Sequence, residues 1–301
     1  MKIPRKLLEK YNKPGPRYTS YPPANFFSPD FDKEVYRGAV LASNHQEPSN
    51  ISLYVHVPFC PRLCFFCGCN TSGFNNKKEV DRYIQAVKKE IRAVASLIDK
   101  TRKVTQIHWG GGTPNSIPVK HIAGIMQLFR DLFQFSANPE IAIECNPAYL
   151  DNNMIDALKQ LGFNRFSLGI QDFDENVLKS VNRAITRYPI EKLIDRVRKN
   201  SDTKINLDFI YGLPGQTKES FLKSIEKAIS LQPDRLVTFS YAHVPWVKKA
   251  QEQIEKLGLP SPEEKIEMLE GSYHMLTSSG YTSIGMDHYA KPEDELSMAL
   301  D

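Results

Sequence analysis

Seven short runs rich in β-branched and aromatic residues constrain this chain most. They are Ile51–Val57, Val104–Trp109, Glu140–Glu144, Arg165–Ile170, Lys204–Ile210, Arg235–Tyr241 and Tyr281–Met286. Between them lie stretches whose apolar residues recur at three- and four-residue steps. In Glu79–Ile98 these are Val80, Tyr83, Ile84, Val87, Ile91, Val94 and Ala95, the spacing of an amphipathic helix. Further helical stretches begin near Val119, Asp151, Asp174, Pro189, Lys218 and Pro262. Asp151 and Ser261 suit the capping position of two of them, the second with Pro262 at its first residue. Strands and helices alternating at this spacing predict βαβ units in a parallel sheet. Seven strands point to an α/β fold built as a partial (β/α) TIM-like barrel.

A second regularity bears on function. Each polar or glycine-rich cluster follows a strand. In order these are a cysteine cluster, Gly110-Gly111-Gly112-Thr113-Pro114, Glu144-Cys145-Asn146-Pro147, Gln171-Asp172, Tyr211-Gly212-Leu213-Pro214-Gly215, Ala242-His243 and Asp287-His288-Tyr289. In parallel barrels the C-terminal strand ends share one face, where active sites lie. The clusters are therefore expected to converge on one pocket.

Composition excludes several classes. Of 301 residues, 41% are hydrophobic, which excludes global disorder. No run approaches the about 18 apolar residues of a membrane span, and the N-terminus lacks the apolar core of a secretory signal. The expected location is the cytoplasm. Net charge is +4, from 39 basic and 35 acidic residues spread evenly, which gives no basis for nucleic-acid binding. Residues 1–49 read as an arm of weak periodicity with Pro14, Pro16, Pro22, Pro23 and Pro29, and residues 50–301 as the barrel.

Four of the five cysteines, Cys60, Cys64, Cys67 and Cys69, fall within ten residues. Three thiolates at CxxxCxxC spacing can hold three corners of a [4Fe–4S] cluster and leave one iron open. Zinc is the rival, but its structural sites usually pair two cysteine knuckles across a longer loop. Buried free thiols are the remaining alternative, disfavoured because Pro58, Pro61 and Gly68 make the segment a loop. Cys145 has no neighbouring thiol in sequence and reads as core.

CxxxCxxC directly after the first strand, with Phe66 before the last cysteine, resembles the radical S-adenosylmethionine (SAM) superfamily. Further segments resemble one family within it, the oxygen-independent coproporphyrinogen III oxidases (coproporphyrinogen dehydrogenases). They are Pro16-Arg-Tyr-Thr-Ser-Tyr-Pro22, Tyr54-Val-His-Val-Pro-Phe-Cys60, Cys69, Trp109-Gly-Gly-Gly-Thr-Pro114, Gly169-Ile-Gln171-Asp-Phe, Val181-Asn-Arg183, Asp208-Phe-Ile-Tyr-Gly-Leu-Pro214 and Tyr241-Ala-His243.

The resemblance implies that Cys60, Cys64 and Cys67 ligate the cluster and that SAM chelates the fourth iron. It implies cofactor contacts from Tyr54, Phe66, Gly111, Gly112, Thr113, Glu144, Gln171, Arg183, Asp208 and Ala242, with Tyr54 and Glu144 also catalytic. Glu144 suits the SAM ammonium, Gln171 and Asp208 the ribose hydroxyls, and Arg183 a carboxylate. Asn146 stands where this family commonly has Asp. Cys69 is either a buried hydrophobe or a residue that tunes the cluster. Arg17, Tyr18 and Tyr21 are candidates for the substrate entrance, or for a strap filling a groove. His243, His288 and Tyr289 are expected on the same rim.

The implied enzyme is an oxidoreductase of porphyrin and heme biosynthesis. It converts two propionates of coproporphyrinogen III to vinyl groups, giving protoporphyrinogen IX, through a deoxyadenosyl radical. It uses two SAM molecules, an electron donor and an electron acceptor, and is expected to be a monomer. Enzymes of this family continue past residue 301, so the chain is expected to be C-terminally truncated, without their helical C-terminal domain. The alternatives are a heme-chaperone-like relative, a heme-opening methyltransferase, and a zinc-stabilised binding domain. Cys69 and the Arg17-Tyr18-Thr19 arm favour the dehydrogenase over the chaperone.

Overall fold

The computed structural model describes residues 4–11, 23, 26–73 and 76–300. Helices α1 (Arg5–Tyr11) and α2 (Lys33–Ser43) precede β1 (Ile51–Val57). Two-residue strands β2 (Phe59–Cys60) and β3 (Ser72–Gly73) bracket the cysteine loop. Then follow α3 (Lys77–Ala95), β4 (Lys103–Gly111), α4 (Val119–Leu132), β5 (Gln134–Cys145), α5 (Asn152–Gln160), β6 (Arg165–Gln171), α6 (Glu175–Ser180), α7 (Ile190–Arg198), β7 (Lys204–Tyr211), α8 (Lys218–Ser230) and β8 (Arg235–Ser240). The chain ends with α9 (Glu252–Glu255), α10 (Pro262–Ser278), β9 (Thr282–Gly285), β10 (His288–Ala290) and α11 (Glu295–Met298).

Capping chemistry sets several boundaries. Asn76 accepts from the Glu79 amide and starts α3 two residues before the expected point. Asp151 caps α5, and Ser261 and Glu264 form a reciprocal capping box on α10 behind Pro262, as the sequence predicts.

The main sheet has the order β1-β4-β5-β6-β7-β8-β10-β9. The first six of these strands are parallel, matching six expected strands. The seventh expected strand, β9, does not join β8. Instead β10 folds back antiparallel between them. Only Met286 and Asp287 separate β9 from β10, and parallel neighbours need a crossover of a dozen or more residues. Gly285 (φ 126°) and Met286 (φ 51°) make the hairpin turn. Tyr289 therefore pairs with Leu236 and Ala290 with Arg235, at the start of β8. Tyr289, buried in the helix-side core, does not reach the active rim, and that expectation is corrected; His288 pairs with Val237, which pairs with Asp208, and so lies level with Asp208.

Strand pleat divides the sheet into two chemical faces. Ile107, Trp109, Ile141, Ile143, Phe166, Leu168, Leu207 and Phe209 are buried in one core with apolar residues of α3, α4, α5, α7 and α8. The alternate positions are polar: Gln106 and His108, Glu140 and Glu144, Arg165 and Ser167, Asn206 and Asp208. These line the other face in two layers.

The layer at the N-terminal strand ends is a closed network. Arg165 donates to Glu140 (2.7 Å), Asn206 (2.9 Å) and Asp294 (3.3 Å), Arg235 donates to Asp294 (2.8 Å), and Gln106 donates to Glu140 (2.9 Å). Burial raises the Glu140 carboxyl, but Arg165 and Gln106 outweigh it and hold the group below the usual carboxylate range. Asp294 also caps α11 and fastens that turn beneath the sheet. Removing one partner of such a buried network costs about 3–5 kcal/mol, because it leaves charges unpaired.

The last residues of the arm are tied to the same end. Asn44 donates to the Leu97 carbonyl (2.8 Å) and accepts from the Asp99 amide (3.0 Å), and Arg102 reaches Ser43 and the Ser49 carbonyl. The Arg17, Tyr18 and Tyr21 motif lies outside the described residues.

Candidate active site

The cysteine loop spans the mouth formed by the C-terminal strand ends. The Phe65 amide donates to the Val181 carbonyl, and Asn182 donates to Leu63, joining the loop to the segment after β6. On its far side, Lys248 donates to the Cys69 carbonyl (3.1 Å). Gln251, almost fully buried, donates to both the Phe66 and Ala242 carbonyls and accepts from the Val244 amide. The Phe66 ring packs with Val177, Val181, Ile210, Leu213, Tyr241 and Ile254.

The three thiols of the CxxxCxxC motif sit in distinct surroundings. Cys60 is buried and accepts from the Thr113 hydroxyl at 3.4 Å. Cys64 is half-buried and accepts from Arg183 at 3.7 Å. Burial pushes both thiols up, and these two donors work against it. Cys67 is held down by a hydrogen bond from Cys69, which is raised in consequence. The thiols feel one another electrostatically. Among the described residues no three His, Cys, Asp or Glu side chains converge closely enough for a single ion, whereas a four-iron cube takes its thiolates at separate corners. Three thiolates with cationic and hydroxyl donors behind them fit such a cluster.

Beside them the triple glycine closes against the polar face. A Cβ on Gly110 would lie 2.7 Å from Glu144 Oε1. One on Gly111 would lie 2.7 Å from the His56 ring, and one on Gly112 would lie 2.9 Å from Cys60 Sγ. Gly111 also has φ +112°, which disfavours any side chain. The glycines let strand, thiol loop and carboxylate meet.

Glu144 accepts from the Gly111 amide (3.3 Å) and contacts His108 Nε2 (3.0 Å). Tyr54, 59% exposed, stacks on His108 with ring centroids 5.9 Å apart. His56 lies within 2.8 Å of the Asn70 carbonyl through Nε2 and 3.0 Å of the Tyr54 hydroxyl through Nδ1. A carbonyl only accepts, so in neutral His56 Nε2 carries the proton and Nδ1 accepts from Tyr54. Burial, with Glu144 adding to it, pushes the Tyr54 phenol up to about 12.

Asp208 accepts from Ser167 (2.9 Å). It keeps some surface towards the cleft but is otherwise enclosed by protein. Burial raises its carboxyl to about 7 despite that hydrogen bond, and the charge of Glu144 adds to the rise. Gln171 ends β6 in a left-handed conformation (φ 71°). Its neighbour Asp172 is buried and accepts from Ser224 (2.6 Å), Gln216 (2.7 Å) and the Asp174 amide (2.9 Å). Arg183 donates to the Gly169 carbonyl as well as to Cys64.

Apart from Tyr289, the described candidate residues sit at or near the C-terminal strand ends or in the loops above them. His243 is there too, its Nδ1 2.9 Å from the Tyr241 hydroxyl. Cys145 is buried in the core. Sequence reasoning passed over His56, His108, Lys248 and Gln251. The two histidines were signalled by their alternation with apolar neighbours in β1 and β4, and the other two carry no local signal.

The Radical SAM superfamily profile matches residues 54–228. An oxygen-independent coproporphyrinogen III oxidase from Synechocystis sp. is 44% identical over 293 residues, which are 97% of this chain and 63% of that protein. One from Escherichia coli K12 is 45% identical over the same shares. The solved structure of coproporphyrinogen III oxidase from Escherichia coli, described as a radical SAM enzyme, aligns with a TM-score of 0.88 at 43% identity. It covers 98% of this chain and 65% of that one. A radical SAM methyltransferase from Kitasatospora setae, 16% identical with a TM-score of 0.50 over 69% of this chain and 39% of that one, shares the fold alone. The chain spans about 63% of the length of the curated relatives from Synechocystis and Escherichia coli. The match over the cysteine loop and the strands that face it shows that this chain belongs to the radical SAM superfamily, whose cofactors are a [4Fe–4S] cluster and S-adenosylmethionine.

Proposed function

We propose that this chain carries the radical-generating core of an oxygen-independent coproporphyrinogen III oxidase, an oxidoreductase of heme biosynthesis. One observation carries the reading. Three thiols, Glu144, Asp208 and Arg183 meet at one end of the sheet in a chain 44–45% identical to enzymes of that name.

Cys60, Cys64 and Cys67 would ligate three irons of the cluster and leave the fourth for SAM. The bare backbone at Gly110–Gly112, with Thr113, offers amides and carbonyls to the methionine end of SAM. Glu144 would receive its ammonium in a charge-assisted hydrogen bond, and Arg183 would pair with its carboxylate. Gln171 and Asp208 suit the ribose hydroxyls, Ala242 offers backbone groups, and Tyr54 and Phe66 flank the site. When bound, cluster and SAM supply a deoxyadenosyl radical by one-electron cleavage of the sulfonium. We assign two SAM molecules to the complete enzyme.

Tyr54 stays protonated at neutral pH and can donate a hydrogen bond at the mouth of the cleft. Glu144 and Asp208 place two carboxyls on adjoining parts of one wall, the second protonated up to about pH 7. Each reacting propionate loses a hydrogen atom from its β-carbon, CO₂, and one electron to an acceptor, and becomes a vinyl group. An electron donor reduces the cluster. Residues 1–49 form an arm beside the substrate entrance of the partial barrel 50–301, and the enzyme acts as a cytoplasmic monomer. Among the described residues no helix is long and apolar enough to cross a membrane.

The test is anaerobic reconstitution with iron and sulfide, followed by SAM, reductant and coproporphyrinogen III. Iron, sulfide, deoxyadenosine and vinyl products are then measured. We expect a four-iron cluster and deoxyadenosine, with vinyl products formed on coproporphyrinogen III. Cys64→Ser should abolish deoxyadenosine and vinyl formation. Zinc alone at the cysteine loop, or a cluster that never yields deoxyadenosine, would overturn the reading.

A further inference from the structure

The cysteine loop has two sides. On one, Cys69 shares its surroundings with Tyr54 and Glu144, the residues assigned to SAM. On the other, Pro61, Arg62 and Leu63 link Cys60 to Cys64 in one exposed turn of chain, and Leu63 is 43% exposed. Behind that turn lies a hollow of about 420 Å³ lined by Pro61, Tyr149, Asp151, Arg187 and Tyr188 among others. Arg62 lies close enough to influence both Cys64 and Tyr149. Arg187 is exposed, and among the described residues neither arginine has an ion pair. Asp151, the one acid on the hollow, is engaged as the cap of α5.

If the cleft side is filled by SAM and substrate, as proposed above, an electron must enter from the other side. Electron transfer weakens steeply with distance, so the donor has to rest close to the thiols, and the exposed Pro61–Leu63 turn joins Cys60 directly to Cys64. An exposed leucine and two unpaired guanidinium groups suit a small, transient contact that charge steers and salt weakens.

We propose that the Pro61–Leu63 turn, together with Arg187 and the adjoining hollow, is the docking face for an acidic one-electron carrier protein. The inference rests on the functional reading above. One electron passes from the reduced carrier to the oxidised cluster, and no bond forms or breaks.

Reduced flavodoxin serves as the acidic probe. Binding of oxidised flavodoxin to the chain is measured by calorimetry, and cluster reduction by loss of visible absorbance, with either reduced flavodoxin or dithionite as donor. R62E/R187E should weaken flavodoxin binding and slow flavodoxin-driven reduction by about tenfold or more. High ionic strength should erase the difference from wild type. Reduction by dithionite, which needs no docking face, should slow far less than reduction by flavodoxin. K89E/K223E, on the outer faces of α3 and α8, alters net charge equally and should leave flavodoxin binding intact. Flavodoxin that does not bind, or binds R62E/R187E as it binds wild type, would overturn the docking face while the cluster reading stands. A wild-type chain that takes up no cluster would instead break the functional reading, and the docking proposal with it.

Discussion

Two polar layers line the same face of the sheet, and they differ in how fully their groups are partnered. In the lower layer, Glu140, Arg165, Asn206, Arg235 and Asp294 satisfy one another, and the carboxyls sit below their usual range. In the upper layer, two to four residues further along each strand, Asp208 has one hydrogen-bond donor and is pushed up to about 7, Tyr54 is pushed up to about 12, and the thiols of Cys60 and Cys64 are raised. The strands and their pleat are shared. Completion of the network separates a floor that holds the fold from a rim that awaits ligands.

The largest expected effect comes from breaking the floor. Arg165→Met leaves buried Glu140 and Asp294 with Arg235 as their one remaining cation among the described residues and should cost about 3–5 kcal/mol, read as a lower urea midpoint. A loss below about 1 kcal/mol would mean that the floor is not a closed network. At the rim, Gly111→Ala forces a side chain into a φ +112° backbone and into the His56 ring. It should cost about 1–3 kcal/mol and also weaken SAM binding, measured by calorimetry on the reconstituted chain.

A further effect separates the layers by pH. Glu140 and Asp294 are depressed in the fold, so their contribution is present above their unfolded values near 4 and is lost as pH falls through their folded ones. Asp208 has the opposite sign. Its folded value of about 7 lies above its unfolded value of about 3.9, so the fold loses stability as pH rises between the two. Asp208→Asn should therefore be more stable than wild type in urea at pH 8, with the gap narrowing towards pH 4. An equal gap at both pH values would show that the carboxyl is not raised.

The parallel sheet was legible because β-branched runs and helical periodicity are local. The rim was legible because glycine, proline and cysteine clusters mark strand ends. The floor was not. Gln106, Glu140, Arg165 and Asn206 alternate with apolar neighbours, a pattern that reads equally well as a solvent face. Only the curl of the sheet and the arrival of Asp294 from over a hundred residues away bring them together. The β9–β10 hairpin was missed because its second strand is three residues long and looks like the tail of a loop. Lys248 and Gln251 act on the cysteine loop from a segment far away in sequence, which no local spacing reports.

Gln251 has a mechanical consequence. An open sheet has no backbone ladder joining its first and last strands, so nothing in its hydrogen-bonded ribbon fixes how tightly it curls. Here one buried amide, with Lys248 beside it, ties the loop after the first strand to the loop after β8, both at the mouth. The curvature of the whole scaffold and the position of the cysteine loop are thereby one coordinate, and a change in either is felt by the other.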